Sequence, residues 1–177
     1  VTGRLWVGID PGAKETGIIL RDGRTIVLAE VVTNWYYQHG DPSSVGADYL
    51  TNVVATAAKA TTTLTDLAEV AVEGVKKPCP HLGLTDPSAI IGAGIVLGAV
   101  LLEFPAAVVV PPGGNGSGML DGYPAGLVTD AERRGGLNRK AGQSAHIRHC
   151  RSAWDVSLAA PRIARMGAAL AAAGGLR

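Results

Sequence analysis

Residues 4–33 read RLWVGIDPGAKETGIILRDGRTIVLAEVVT, and the reading of this stretch decides the fold. The first run, 4–10, is apolar and ends on a carboxylate, Asp10, followed by Pro11-Gly12, a strong turn signal. Two β-branched runs follow, 16–22 and 25–33, flanking Asp22-Gly23. That dipeptide suits a tight hairpin whose central positions both take positive φ. Three antiparallel strands are therefore expected at the start of the chain.

Beyond this opening, 34–46 (NWYYQHGDPSSVG) is a polar loop bearing aromatic residues. From Ala47 to about Asp66 the positions of Leu50, Val53, Val54, Ala57, Ala58 and Leu64 follow helical spacing. Residues 69–75 (EVAVEGV) predict a strand that breaks at Gly74. Thr85 or Asp86 can cap a second helix with Pro87 in its first turn, and the apolar run carries it to Glu103 as a buried helix. Pro105 ends it, and 106–110 (AAVVV) reads as a fully buried strand. Residues 111–145 are rich in Gly and polar residues and are expected to be mostly irregular. A last helix is expected from about His149 to beyond Leu170, kinked or split at Pro161. The order βββαβαβα predicts an α/β fold, a five-stranded mixed sheet flanked by helices, as one domain over 1–177.

Composition narrows the function. Hydrophobic residues make up 47% of the 177, which excludes a disordered chain, and two cysteines, Cys79 and Cys150, exclude a disulfide scaffold. The longest stretch free of charged and polar residues, 89–102, is shorter than the ~18–20 residues that span a bilayer. With no signal-peptide pattern at the N-terminus, a cytoplasmic setting is expected. The net charge of +1 conceals a segregation. Residues 1–132 hold 7 basic residues against 14 acids, a balance of −7; residues 133–165 hold 8 against Asp155 alone, a balance of +7; Arg177 adds the last charge. Such a split suggests a basic surface for a polyanion on an acidic body, or else a solvated charged loop.

Three acids stand out by position. Asp10 ends the first strand, Glu73 lies at the end of the fourth, and Asp155 lies on the last helix. If the first and fourth strands are neighbours, Asp10 and Glu73 emerge together at one sheet edge, where α/β folds tend to place ligands. Converging carboxylates call for cations, and hard oxygen ligands select Mg²⁺ or Mn²⁺; two such ions ~4 Å apart would activate water against a phosphodiester. Each acid also has a plainer use: Asp10 to open a turn, Glu73 as a solvated strand end, Asp155 to pair with Arg151 one helical turn earlier. Arg148 and Arg151, seven and four residues before Asp155, share its helix face and are candidate phosphate contacts. A zinc site from Cys79, His81, His146, His149 and Cys150 has suitable ligand types, but its spacing matches no recurrent finger.

Gly8-Ile9-Asp10-Pro11-Gly12 with Thr16-Gly17, then Val72-Glu73, then Arg151-Ser-Ala-Trp-Asp155, resembles the RuvC-type Holliday junction resolvases of the RNase H-like superfamily. The resemblance is greatest to divergent members from phages of actinobacteria, and it runs over nearly the whole chain. It implies a homodimeric, Mg²⁺-dependent endonuclease, with Mn²⁺ able to substitute, that resolves four-way DNA junctions, in the host cytoplasm if phage-encoded. Asp10, Glu73 and Asp155 match the family's metal-binding acids. Ser152 stands where the family has an Asp or His. His149, a turn earlier, is a candidate to supply that group as ligand or proton acceptor, although an ideal helix sets it about 120° from Asp155. Where classical members carry an aromatic wedge after the Glu, this chain has Lys76 and Lys77. These two lysines are expected to contact phosphate, with Arg139 and Lys140 of the basic segment, and branched DNA beyond four-way junctions is an expected substrate. Three other readings stay open: an RNA-processing nuclease resembling the YqgF group, a branched-DNA-binding protein without catalysis, and an actin-like or sugar-kinase phosphate site. The last needs two such domains, and 177 residues supply one.

Overall fold

Leu5, Val7 and Ile9 alternate with Trp6 and Gly8 along the first strand, and both sets are buried. A strand apolar on both faces needs cover on both, and this requirement organises the molecule. The computed structural model describes residues 4–63, 68–75, 86–142 and 145–174. Lys76, Lys77, Cys79 and His81 lie outside the described residues.

Strands β1 (Leu5–Asp10), β2 (Glu15–Asp22) and β3 (Thr25–Thr33) form the antiparallel meander. Helix α1 (Ala47–Thr62) leads to β4 (Glu69–Glu73), and α2 (Pro87–Glu103) leads to β5 (Val108–Val110). Both strands run parallel to β1, giving a five-stranded mixed sheet in the order β3-β2-β1-β4-β5. A single turn, α3 (Asp130–Arg134), precedes the long α4 (Ala145–Gly174). Leu5, Val7, Ile9, Ile18 and Leu20 pack against Val53 and Ala57 of α1 and Val96 and Val100 of α2. The opposite face takes α4: Ile19 meets Ala153 and Trp154, and Trp6 and Ala71 meet Val156 and Ala160.

The expected element order is observed, with local differences. The hairpin turns on Gly23-Arg24, since Asp22 already pairs with Thr25, and only Gly23 has positive φ (56°). One glycine at the first central position is enough for a type II′ turn. The cap of α2 is Asp86, whose Oδ1 accepts from the Ser88 N–H at 2.9 Å. That helix buries the stripe Ser88, Gly92, Val96 and Val100 and leaves Ile91, Ile95 and Leu102 exposed, so it is half-covered rather than buried. β5 is an edge strand with Val109 exposed.

Helix α4 passes through Pro161 without being split. Proline has no N–H for the carbonyl four residues back, Ser157 O. The buried Arg21 of β2 supplies the missing donor: its Nη2 reaches Ser157 O at 2.5 Å and its Nε reaches Ser157 Oγ at 2.8 Å. Among the described residues, no helix is long and apolar enough to cross a membrane.

Candidate metal centre and nucleic-acid cleft

β1 and β4 run parallel with Ile9 opposite Val72, so Asp10 and Glu73, one residue further on, leave the sheet side by side. The third contributor, α4, lies unusually close to the sheet. A Cβ on Gly8 would collide with the Ala153 carbonyl oxygen, and one on Gly17 with the His149 carbonyl oxygen. These two glycines let the α4 backbone rest directly on β1 and β2, carrying His149 and Ser152 to the carboxylates.

The result is a cleft of about 560 Å³ lined by Asp10, Glu15, Glu73, Asn115, His149 and Ser152, with Lys14 and Arg148 on its walls. His149 Nδ1 lies 2.6 Å from Asp10 Oδ2, and its Nε2 lies 3.6 Å from Glu15 Oε2. His146 Nδ1 lies 3.3 Å from the other Glu15 oxygen. Ser152 Oγ donates to Glu73 Oε2 at 2.9 Å, and Asn115 Nδ2 donates to Glu73 Oε1 at 3.0 Å. Burial and the neighbouring Asp10 carboxyl push the Glu73 carboxyl up to about 7, against the pull of Ser152 and Asn115. With a second carboxyl beside it, the buried Glu73 ionises only at a cost that a nearby cation would offset.

Asp155, expected as a third converging acid, is half-buried on α4 and bonded from the loop after β5. Its Oδ2 accepts from the Gly116 N–H at 2.8 Å and the Tyr123 hydroxyl at 2.7 Å. Burial raises the Asp155 carboxyl above the usual range, while Gly116, Tyr123 and the charge of Arg151 pull it down. Among the described residues, no group of three or more His, Cys, Asp or Glu side chains is placed to hold a metal ion. The donor chemistry that fits a hard divalent cation is the oxygen-rich Asp10–Glu73 pair at the ends of β1 and β4.

Arg151 is corrected more sharply. It is fully buried, its Nη1 donates to Glu132 Oε1 at 2.9 Å and its Nη2 to Gly142 O at 3.2 Å. A guanidinium enclosed in this way holds the loop before α4 and has no surface left for a phosphate; nor does it pair with Asp155. Arg148, three residues earlier, is exposed on the cleft. Arg139 and Lys140 are exposed but line no part of it. The zinc set does not assemble from its described members: His149 turns to Asp10, His146 to Glu15, and the Cys150 Sγ to Glu30 O at 3.7 Å.

His149 belongs to the cleft despite its helical angle, because Gly17 brings the backbone of that turn onto the sheet. Glu15, Asn115 and Tyr123 were not anticipated. Glu15 carried a signal, a charged residue opening a strand whose next six residues are all buried. Asn115 and Tyr123 sit in the irregular stretch after β5, 42 and 32 residues from the carboxylates they touch, where no periodicity points to a partner.

A mixed five-stranded sheet in this order, with helices on both faces and paired carboxylates at the ends of β1 and β4, defines an RNase H-like fold. No protein-family model matches the chain, and no curated protein matches it. Among solved structures, that of Thermus thermophilus RuvC in complex with a Holliday junction substrate is similar with a TM-score of 0.54, at 21% identity, over 93% of this chain and 96% of that one. A second structure of T. thermophilus RuvC gives 0.53 and 22%, over 92% and 96%. The chain has the RuvC fold, as its opening motif led us to expect.

Proposed function

We propose that this chain is a divalent-metal-dependent endonuclease that hydrolyses phosphodiester bonds in four-way or otherwise branched DNA. The observation that carries the reading is the single cleft in which Asp10 and Glu73 meet His149, in a chain folded like RuvC, one of whose solved structures holds a Holliday junction substrate. Mg²⁺, or Mn²⁺ in its place, would supply Lewis-acid polarisation of the phosphate and a more acidic bound water. Asp10 and Glu73 are its proposed donors, and Asp155 the acid at their flank. Ser152 and Asn115 orient the two Glu73 oxygens. His149, held between Asp10 and Glu15, is positioned to take a proton beside the reacting phosphate. Lys14 and Arg148 on the cleft walls, with Arg139 and Lys140 further along, are proposed to grip the DNA backbone. A two-fold substrate favours a homodimer, and the exposed Ile91, Ile95 and Leu102 of α2 offer an apolar face for one.

One observation favours a second reading, a branched-DNA-binding protein without hydrolysis: the Asp155 Oδ2 is already taken up by the Gly116 N–H and the Tyr123 hydroxyl. End-labelled four-way junction, flap, fork, linear duplex and single-stranded RNA, incubated with the protein in Mg²⁺, Mn²⁺ or EDTA, separate the readings. Metal-dependent cutting of branched DNA, with duplex and RNA intact, is the expected result. Junction binding with no cutting in either metal supports the second reading, and preferred cutting of RNA supports an RNA-processing enzyme.

A further inference from the structure

Trp35, Tyr36 and Tyr37 follow β3 directly, and their exposures differ in a telling way. Trp35 is 85% exposed and Tyr36 82%, whereas Tyr37 lines the cleft. An indole left this open forgoes most of the burial that normally stabilises it. The loop beneath is nonetheless tightly anchored. Asn34 is buried; its N–H donates to Lys14 O at 2.8 Å, and its Nδ2 to Ala13 O at 3.1 Å and Ser44 O at 3.0 Å. Its Oδ1 accepts from the Tyr36 N–H at 3.2 Å. Ala13 and Lys14 are themselves part of the cleft wall, so the aromatic pair is clamped to the rim of the site.

The geometry points to Trp35, with Tyr36 beside it, as a stacking platform for unpaired nucleobases at the branch of the DNA substrate. This rests on, and deepens, the nuclease reading. Flat π-faces next to cations are the chemistry that takes unpaired bases, the rings stacking and the cations meeting the backbone. Lys14 and Arg148 supply those charges on the same cleft. Bases inside a duplex are already stacked on both sides and offer the platform nothing, whereas the pairs at an open branch point have one unstacked face and are the first to part.

The protein carries its own reporter. Of its three tryptophans, Trp6 and Trp154 are 1% exposed, so acrylamide-accessible emission comes from Trp35. We would titrate the full chain in EDTA with a four-way junction and with a linear duplex of equal length, following emission and acrylamide quenching. The junction is expected to quench Trp35 emission and shield it from acrylamide, and the duplex, at matched occupancy, to do neither. Trp35→Ala is expected to bind the junction roughly ten-fold more weakly, with unchanged duplex affinity, and Trp35→Phe to recover most of the loss. A junction that binds while Trp35 stays fully quenchable, or a Trp35→Ala protein that binds it as tightly as the wild type, overturns the platform and leaves the nuclease reading standing. Absence of binding to any DNA overturns both. A concentration-dependent blue shift without DNA assigns the patch to a second copy of the chain and also overturns it.

Discussion

Arg151→Met tests whether the buried guanidinium is a structural clamp or a DNA contact. The substitution keeps the side-chain length and removes the donors to Glu132, Leu127 O and Gly142 O. Burial raises the Glu132 carboxyl, but the Thr129 N–H, Arg151, the Thr129 hydroxyl and the Gly142 N–H outweigh it and bring it from 4.5 down to about 2. At ~1.4 kcal/mol per pH unit, that depression is worth of order 3–4 kcal/mol to the fold. Arg151 is one donor of four, yet its loss also strands two carbonyls and leaves a buried carboxylate without its counter-charge; breaking one side of such a pair costs ~3–5 kcal/mol. We expect a loss of about 3 kcal/mol in urea unfolding at pH 7, and a double cycle with Glu132→Gln that recovers ~1–3 kcal/mol of coupling. Because the folded pKa of Glu132 is depressed, its contribution is complete above pH 4.5 and disappears as the pH falls towards 2, so the gap between wild type and variant should narrow over that window. For folded protein the salt dependence of DNA binding should be unchanged. A variant within about 0.5 kcal/mol of wild type that binds DNA with a flatter salt dependence would refute the clamp.

Glu73 titrates in the opposite sense. With its carboxyl raised to about 7, folded protein holds a proton that the unfolded chain releases near 4.5. Metal-free protein should therefore lose stability as the pH rises from 4.5 to 7, by up to ~1.4 kcal/mol per unit, and Glu73→Gln should flatten that slope in pH-dependent urea titrations. Gly17→Ala should cost ~1–3 kcal/mol in the same assay, because the new methyl drives the His149 turn off the sheet, and it should slow any cleavage more than ten-fold in the fraction that remains folded.

The sheet was legible because its signals are local. The 4–33 stretch carries its turns at Pro11-Gly12 and Asp22-Gly23, and Asp10 and Glu73 close their strands, so adjacency of β1 and β4 alone brings the two acids together. Departures arise where the deciding partner is distant in sequence. Pro161 leaves α4 intact because Arg21, 136 residues from Ser157, bonds the stranded carbonyl. Arg151 was read from its helix face towards Asp155, yet Glu132 claims it. The Thr129–Glu132 capping box that sets Glu132 in place was visible in the sequence as Thr-x-x-Glu. Asp155 is expected at the metal through the family resemblance of Arg151-Ser-Ala-Trp-Asp155, whereas the partners of its Oδ2, Tyr123 and Gly116, lie in a stretch without periodicity.

The most direct test of the central claim is the single-turnover rate at which wild type and Asp10→Asn cut a labelled four-way junction in Mg²⁺ and in Mn²⁺. Asp10 touches His149 and shares the cleft with Glu73, and the isosteric amide keeps its shape while removing its charge. The account predicts that the variant binds the junction with near-wild-type affinity and cuts it at least ~100-fold more slowly in both metals. Cutting by Asp10→Asn at the wild-type rate in either metal would contradict it.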